Sequence, residues 1–329
     1  MLFGESAGGE SVKQLLANPP QTNSLPFSSA ILQSQQSALV GNGLVNFKQV
    51  LSNFGCADTD CLRKVPAADI KAYIEKEGLA FPPVNGDGTA VADVRDSIRS
   101  GKWAKVPVML GSNLNEASVF LAVLGAQDGQ TALNGLFDQA NITSSARDSL
   151  LTMYAADGAG NDVASRYLMS LRQDELITDE TCRRILTDLL FTCTTSSLAN
   201  FLALNSYTTY RYRFDAAFPS TTLFPNAGAY HSSEIPEVFG TYPLSSKYGT
   251  VTQQQIDLSA YMQGVWAGFA KNPSAGVGWP NVQPLGLQND LGVLGKDGSS
   301  GVTVRPRIEA DFACPVYAPI DDAAGLSYR

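Results

Sequence analysis

The sequence predicts an α/β fold in which parallel strands alternate with helices. Short apolar segments have the composition of buried strands, and long segments with helical periodicity lie between them. Strands that are separated by long helices favour a parallel sheet with helical crossovers. The 329 residues are 44% hydrophobic and 16% charged, which is enough apolar material for a large core.

Three segments have clear strand character. They are Ser29–Gln33, Val106–Leu110 and Tyr207–Phe214. The first two are short apolar runs, as expected of buried strands, and the third alternates aromatic and polar residues. A further strand before the glycine-rich turn is reduced to Met1–Phe3.

Helical patterns fill the intervals between these strands. The last helix ends before Asn272-Pro273, because proline cannot continue a helix. The segment from about 131 to 204 has few strand signals and predicts a helical lobe beside the sheet. No shift in composition marks a boundary, so we expect one domain over residues 1–329. The predicted helices are Glu10–Leu16, Asp69–Glu77, Val91–Ser100, Ser144–Tyr154, Glu180–Leu204 and Gln253–Lys271.

Charge and hydropathy exclude some classes of partner. With 23 Lys and Arg against 31 Asp and Glu, the net charge is −8, which argues against nucleic acid as a partner. No apolar run reaches about 18 residues, so we expect no membrane-spanning segment. The N-terminus of this chain lacks the basic and apolar segments of a signal peptide.

The five cysteines are too few to build the fold, but their spacing is informative. Cys56 and Cys61 lie close together without a Cys-x-x-Cys pair or a His cluster, which argues against zinc. A short disulfide loop is favoured, and it implies an oxidising compartment. The one glycosylation sequon, at Asn141, points the same way. The alternative is two free thiols and a chance sequon.

The strongest motif is Gly4-Glu5-Ser6-Ala7-Gly8, a G-x-S-x-G sequence followed at once by a helical segment. A nucleophilic serine in a tight strand-to-helix turn needs small neighbours, because side chains there would clash. At the start of a helix, backbone N–H groups and the helix dipole favour a developing oxyanion. The alternative is a glycine-rich turn with a surface serine.

A nucleophilic serine needs a base, and His231 is the only histidine in the chain. It follows the last predicted strand on a loop that contains proline and glycine. A carboxylate must orient the imidazole, and Glu116 lies between Ser6 and His231, directly after a predicted strand. The alternatives are a structural histidine, and a Glu116 that complements the dipole of the helix after it.

Five segments, in order along the chain, resemble the type-B carboxylesterase/cholinesterase family of α/β-hydrolases. The resemblance implies an α/β-hydrolase fold with a mostly parallel sheet. It also implies hydrolysis of carboxylic esters through an acyl-enzyme by Ser6, Glu116 and His231, with no cofactor and no metal. The segments are FGESAGGESV, SSAILQSQ, KVPVMLGSNLNEASVF, AYHSSEIPEVFG and FAKNPSAGVGWP.

The resemblance assigns further roles. The Ala7 N–H is expected to donate to the oxyanion, Glu5 to be a buried acid beside the nucleophile, and Ser34 to be a hydroxyl near the Glu–His pair. It implies two disulfides, Cys56 with Cys61 and Cys193 with Cys314. Cys182 has no counterpart in the family and could compete with either member of the second pair.

The chain also departs from the family pattern. The glycine-rich oxyanion loop and the early strands that the family has before the serine are absent, so we expect the C-terminal part of a larger, secreted hydrolase. Asn115-Glu116-Ala117 stands where the family has Asp-Glu-Gly. The alternatives are a non-catalytic binding or adhesion module and a truncated product without activity. The sequence does not choose among short-chain, lipid and choline esters, and it leaves the oligomeric state open.

Overall fold

The protein is described from a computed structural model. The predicted glycosylation site at Asn141 lies outside the described residues, as does the middle of the predicted helical lobe. The residues that the structure describes are 1–22, 24–35, 43–81, 88, 90–91, 93–123, 129–139, 143–157, 179–284 and 288–317.

A six-stranded sheet organises the fold, with its strands in the order β1-β2-β3-β4-β5-β6. The first five strands are parallel, and β6 pairs antiparallel with β5. This arrangement confirms the predicted α/β fold with a mostly parallel sheet. The strands are β1 Leu2–Glu5, β2 Ala30–Gln33, β3 Val108–Asn113, β4 Thr209–Phe214, β5 Asn289–Leu294 and β6 Val302–Pro306.

Helices connect the strands and cover the sheet. In the predicted lobe, every described residue between 131 and 204 is helical except Thr143, which directly precedes a helix. A π-helical turn, Asp188–Thr192, interrupts the long helix there. The α-helices are α1 Ala7–Ala17, α2 Gly43–Asn53, α3 Thr59–Leu62, α4 Ala67–Glu77, α5 Val94–Arg99, α6 Ser118–Val123, α7 Gly129–Gln139, α8 Ser144–Asp157, α9 Asp179–Thr187, α10 Cys193–Leu204, α11 Ile235–Phe239, α12 Gln253–Lys271 and α13 Ile308–Asp311.

The central strands are buried because helices pack on both faces of the sheet. Every residue of β2 and β3 is buried, and each strand begins with an apolar run, as expected of a strand covered on both faces. One core cluster joins β2 to β4 with α12. A second cluster lies among α7 to α10 and includes Phe137 and Phe191. The sheet is thereby held firmly enough to fix the loops at the carboxyl ends of its strands.

The sequence did not predict β5 and β6. Gly292 interrupts the apolar run of β5, which weakens the strand pattern. The structure explains this glycine, because a Cβ there would lie 2.6 Å from the indole of Trp279. The indole of Trp279, a residue outside the strand, therefore explains the glycine that obscures β5 in the sequence.

The chain divides into two compact units, Met1–Ala38 with Arg95–Arg329, and Leu39–Val94. The smaller unit contains α2, α3 and α4, and in it Phe54 packs edge-on against Tyr73 with ring centroids 5.8 Å apart. The larger unit contains the sheet. One domain over the whole chain, as expected from the sequence, stays a prediction.

Both disulfides that the family resemblance implied are present. Cys56 and Cys61 are bonded with a Cα–Cα distance of 5.4 Å. Cys193 and Cys314 are bonded across 5.1 Å between their Cα atoms. Cys182 is buried and is part of neither disulfide. It therefore does not replace Cys193 or Cys314 in the second pair.

One helical stretch, Glu180–Leu204, is long and apolar enough to cross a membrane by length and composition. The sequence had predicted no membrane-spanning segment, because no apolar run is long enough. Of its 18-residue apolar window, 78% is buried inside the protein. A mostly buried helix of this kind is typical of a protein core, so it is weak evidence for a membrane span.

Candidate active site

Ser6 occupies the sharp turn between β1 and α1. Its backbone has φ 56° and ψ −118°, a conformation that is strained for any residue with a side chain. Its N–H donates to the carbonyl of Gln33 at 3.0 Å, which ties the turn to β2. Its hydroxyl does not cap α1. The serine is thus held in a strained turn with its hydroxyl free for chemistry.

Gly4 and Gly9 are required by close packing around this turn. A Cβ on Gly4 would lie 2.4 Å from the backbone C and O of Gly8. A Cβ on Gly9 would lie 3.0 Å from the carbonyl oxygen of Gln33. Gly8 differs, because a Cβ there would meet no atom within 4 Å. The glycine before the serine is therefore the sterically necessary one in the motif.

His231 and Glu116 form a close, buried pair. The imidazole Nδ1 lies 2.6 Å from Oε2 of Glu116, and Glu116 is fully buried. The second carboxylate oxygen accepts from the backbone N–H of Asn113 at 2.7 Å. A carboxylate held in this way favours the tautomer with the proton on Nδ1, so that Nε2 of the neutral imidazole is the nitrogen that can accept a proton.

The turn that carries Glu116 and the loop that carries His231 are bonded to each other. The N–H of Asn115 donates to the carbonyl of Ala229 at 2.9 Å, and the N–H of Ala229 donates to Oδ1 of Asn115 at 3.1 Å. Nδ2 of Asn113 donates to the carbonyl of Tyr230 at 2.8 Å. Asn115, which departs from the family pattern, therefore helps to hold the Glu116 turn and the His231 loop together.

Glu5 is the partner of the other imidazole nitrogen. Nε2 of His231 lies 3.0 Å from Oε1 of Glu5, and Oγ of Ser232 donates to the same oxygen at 2.7 Å. Among the described side chains, Ser6 Oγ forms no hydrogen bond with His231. The contact with Glu5 places His231 beside the turn that carries Ser6, and Nε2 faces the Glu5 carboxylate.

The carboxylates around His231 control its charge. Burial lowers the pKa of His231, but the hydrogen bond and negative charge of Glu116, aided by Glu5 and Glu234, outweigh burial and raise it. Burial raises the pKa of Glu5, although His231 and Ser232 oppose this shift. The site therefore favours the protonated imidazole more than water does.

Glu234 is a buried acid that sequence reasoning missed. Its two carboxylate oxygens accept from Nε2 of Gln33 at 3.0 Å and from Nδ2 of Asn113 at 2.6 Å. Burial, followed by the charge of Glu116, raises its pKa to about 7. Its position close to His231 in the sequence was the available signal. It connects β2 and β3 to the histidine loop.

Two aromatic rings beside the histidine were also missed. The ring centroids of Phe120 and Phe191 lie 5.0 Å and 4.9 Å from that of His231. Aromatic residues in apolar helices are typical of a core, so their sequence context gave no functional signal. They form an apolar wall against the imidazole.

The remaining predicted residues take simpler positions. Ala7 begins α1, so its N–H belongs to the first turn, whose N–H groups have no acceptor within the helix. Ser34 is buried at φ 46°, and its Oγ has no hydrogen-bond partner among the described residues. The expected link from Ser34 to the Glu–His pair is therefore absent from the described contacts.

Within the described chain, no group of three or more acidic, His or Cys side chains is placed to hold a metal.

Comparison with known proteins identifies the family. Residues 1–290 match the sequence profile of the carboxylesterase family. The chain belongs to the carboxylesterase family. The earlier resemblance to type-B carboxylesterases is therefore confirmed over most of the chain.

Individual carboxylesterases are similar at moderate identity. Secreted lipase 5 of Gibberella zeae is 26% identical over 90% of this chain and 52% of its own length. Para-nitrobenzyl esterase of Bacillus subtilis is 29% identical over 85% of this chain and 55% of its own. The chain thus spans about half the length of the curated relatives it matches.

A solved structure supports the fold. A PNB esterase structure aligns with a TM-score of 0.63 and 24% identity, over 95% of this chain and 62% of its own. The predicted α/β-hydrolase fold is confirmed by this match.

Proposed function

We propose that this carboxylesterase-family protein hydrolyses carboxylic esters through an acyl-enzyme intermediate, with Ser6 as the nucleophile. The observation that carries the proposal is the buried Glu116–His231 pair, 2.6 Å apart, in the same site as the strained Ser6 turn. The proposed roles are nucleophile for Ser6, general base for His231 and orienting carboxylate for Glu116. These are the roles that a serine, a histidine and a carboxylate take in a catalytic triad.

In the first step, Nε2 of His231 accepts the proton of Ser6 while Oγ bonds to the ester carbonyl carbon. The carbonyl oxygen becomes an oxyanion that faces the N–H of Ala7. Glu116 stabilises the imidazolium. The imidazolium then protonates the departing alkoxide, and the alcohol leaves an acyl-Ser6. A water molecule repeats the steps on the acyl group, which releases the acid and restores Ser6.

The proposal requires His231 to change partner. Nε2 must exchange Oε1 of Glu5, 3.0 Å away, for Oγ of Ser6. A neutral imidazole is attracted to a carboxylate less than an imidazolium is. Loss of the proton from His231 therefore favours the arrangement that is competent for catalysis.

The substrate class follows from the family and its named members. Relatives include a secreted lipase, a chlorogenic acid esterase and a para-nitrobenzyl esterase. These names share the carboxylic ester and differ in the acyl and alcohol parts. We therefore propose a small-molecule or lipid ester as the substrate.

We also propose an extracellular location. Two disulfides are typical of an oxidising compartment, and one relative is named as a secreted lipase. The measurement is the number of cysteines alkylated in denaturant, without reductant, in protein from the culture medium. The proposal predicts one alkylated cysteine, Cys182, which is part of neither disulfide, while alkylation of all five would contradict it.

The test of function is hydrolysis of p-nitrophenyl acetate by the purified full-length enzyme and by its Ser6→Ala and His231→Gln variants. We expect turnover in the wild type and a loss on the order of 10⁴-fold in each variant, because triad members act as a unit. The matched control is Ser149→Ala, an exposed helical serine, which should keep full activity. Equal, undiminished rates in all four proteins would overturn the proposal. A stable protein without turnover would favour the binding-module alternative.

A further inference from the structure

His231 lies in a cluster of three rings. Phe191 is fully buried, and its ring centroid lies 4.9 Å from that of the imidazole at a 45° angle. Phe120 makes a similar contact at 5.0 Å. The two phenyl rings stack on each other at 5.8 Å and 14°. The imidazole therefore has an apolar wall made of two rings that support one another.

Phe191 reaches the imidazole from an irregular turn. It belongs to the π-helical turn Asp188–Thr192, where the N–H of Cys193 donates to the carbonyl of Asp188, five residues back. A π-turn inserts one extra residue, which rotates the helix that follows by about 100° relative to regular α-helix. Without the insertion, the helix on one side of the turn would present different side chains to His231.

The turn is held in place by side chains. Oγ1 of Thr194 donates to the carbonyls of Leu190 and Phe191, at 3.1 Å each. Nη2 of Arg211 on β4 donates to the carbonyl of Thr192 at 3.3 Å. Backbone carbonyls that would accept N–H groups of the same helix in a regular α-helix thus accept hydrogen bonds from these side chains. The π-turn is therefore a stable part of the fold rather than a frayed helix.

The same helix also contacts the other member of the pair. Oγ1 of Thr187, directly before the π-turn, accepts from the N–H of Ala117 at 3.1 Å in a buried bond. Ala117 follows Glu116 in the chain. One helix is thus bonded to the turn that carries Glu116 and packed against the ring of His231.

We propose that Phe191, placed by the π-helical turn, is a positioning residue for His231. This inference rests on the proposed function. The ring of Phe191 holds the imidazole in the plane that keeps Nδ1 on Glu116 and leaves Nε2 able to alternate between Glu5 and Ser6. One hydrogen bond at Nδ1 leaves the ring able to tilt, and packing against Phe191 removes that freedom. A misplacement of about 1 Å in a catalytic group can cost about 10²-fold in rate, so this packing has a kinetic consequence.

The kinetic test compares Phe191→Leu with the matched control Phe137→Leu. Both phenylalanines are fully buried in the same cluster, but the ring of Phe137 packs under the guanidinium of Arg147. We expect Phe191→Leu to lower kcat by about tenfold or more with KM unchanged, because it affects the base rather than substrate binding. The control should keep kcat within about threefold at a similar loss of thermal stability.

The second readout does not depend on ester turnover. Since the chain has one histidine, its ring protons give unambiguous NMR signals. We expect the wild type and Phe137→Leu to share one set of ring signals, displaced by the phenyl ring currents. Phe191→Leu should shift and broaden them. Identical histidine signals in Phe191→Leu and wild type, or equal kcat losses in both variants, would overturn the proposal. Shifted signals in a protein without esterase activity would uphold the ring placement while contradicting the proposed function.

Discussion

Nε2 of His231 lies 3.0 Å from Oε1 of Glu5, the residue directly before Ser6. Under the proposed mechanism, we expect the Glu5 carboxylate and the Ser6 hydroxyl to compete for the same imidazole nitrogen. Oγ of Ser232 donates to that carboxylate oxygen and holds it in place. We therefore expect the protonation state of His231 to decide whether Nε2 faces Glu5 or Ser6.

Removal of the Glu5 charge should shift the pH dependence of the site. The negative charge of Glu5 helps to raise the pKa of His231, so Glu5→Gln should lower that pKa. The base would then be deprotonated at lower pH, and the acidic limb of the kcat/KM profile should move toward acid. The measurements are that profile and the NMR titration of the single histidine.

A control for Glu5→Gln is Glu75→Gln, which removes an exposed carboxylate from helix α4. It should leave the titration of His231 unchanged. A His231 pKa that rises or stays fixed in Glu5→Gln would contradict the electrostatic role given to Glu5.

The turn around Ser6 predicts different outcomes for its two flanking glycines. Gly4→Ala places a Cβ 2.4 Å from the backbone of Gly8, which the turn cannot relieve without opening. We expect a loss of about 3 kcal/mol or more in unfolding free energy, together with loss of activity. Thermal or chemical denaturation is the measurement.

Gly8→Ala is the matched control for this prediction. Its Cβ would meet no atom within 4 Å, and alanine favours a helix over glycine by about 0.5–1 kcal/mol. It should be neutral or stabilising. A Gly4→Ala variant as stable as Gly8→Ala would show that the close approach does not constrain the turn.

The backbone strain at Ser6 predicts a conflict between stability and activity. Glycine adopts φ 56° and ψ −118° with less strain than serine, and it loses more entropy on folding. We expect Ser6→Gly to be inactive and more stable by about 1 kcal/mol, because the relief of strain exceeds the entropy cost. Ser6→Ala keeps the Cβ and should be inactive without this gain. Denaturation of the three proteins under one condition tests the ordering.

The buried acid Glu234 predicts a loss of stability with rising pH. Burial raises its pKa from 4.5 to about 7, so the folded protein keeps this proton where the unfolded chain has lost it. Its contribution to the unfolding free energy is therefore full below pH 4.5 and falls as the pH rises toward 7. Glutamine cannot ionise, so Glu234→Gln should gain stability relative to wild type across that window. Denaturation at a series of pH values is the measurement, and a constant difference would contradict the account.

Much of the fold could be predicted because apolar runs mark buried parallel strands. The predicted strand Ser29–Gln33 is observed as Ala30–Gln33, and Tyr207–Phe214 is observed as Thr209–Phe214. The β5 strand escaped prediction because Gly292, which packs against the indole of Trp279, interrupts its apolar run, and the sequence pattern does not show that contact. Local patterns cannot contain such contacts.

The residues of the candidate site likewise fall into some that the sequence could suggest and some that it could not. Ser6, Glu116 and His231 could be singled out as candidates from motifs and chain order, and the structure brings Glu116 and His231 into contact. The contact between Glu5 and Nε2 could not be predicted, since it depends on how the histidine loop packs on the first strand. Phe191 was missed because it looks like any core residue of a helix.

The most direct test of the central claim is the covalent labelling of Ser6 by a fluorophosphonate. The reagent reacts with a serine only when a base removes its proton and the site stabilises the oxyanion. Peptide mass spectrometry of the wild type should place the adduct on Ser6, and His231→Gln should remain unlabelled. An adduct on another residue, or labelling of His231→Gln at the wild-type rate, would contradict the Ser6–His231–Glu116 account.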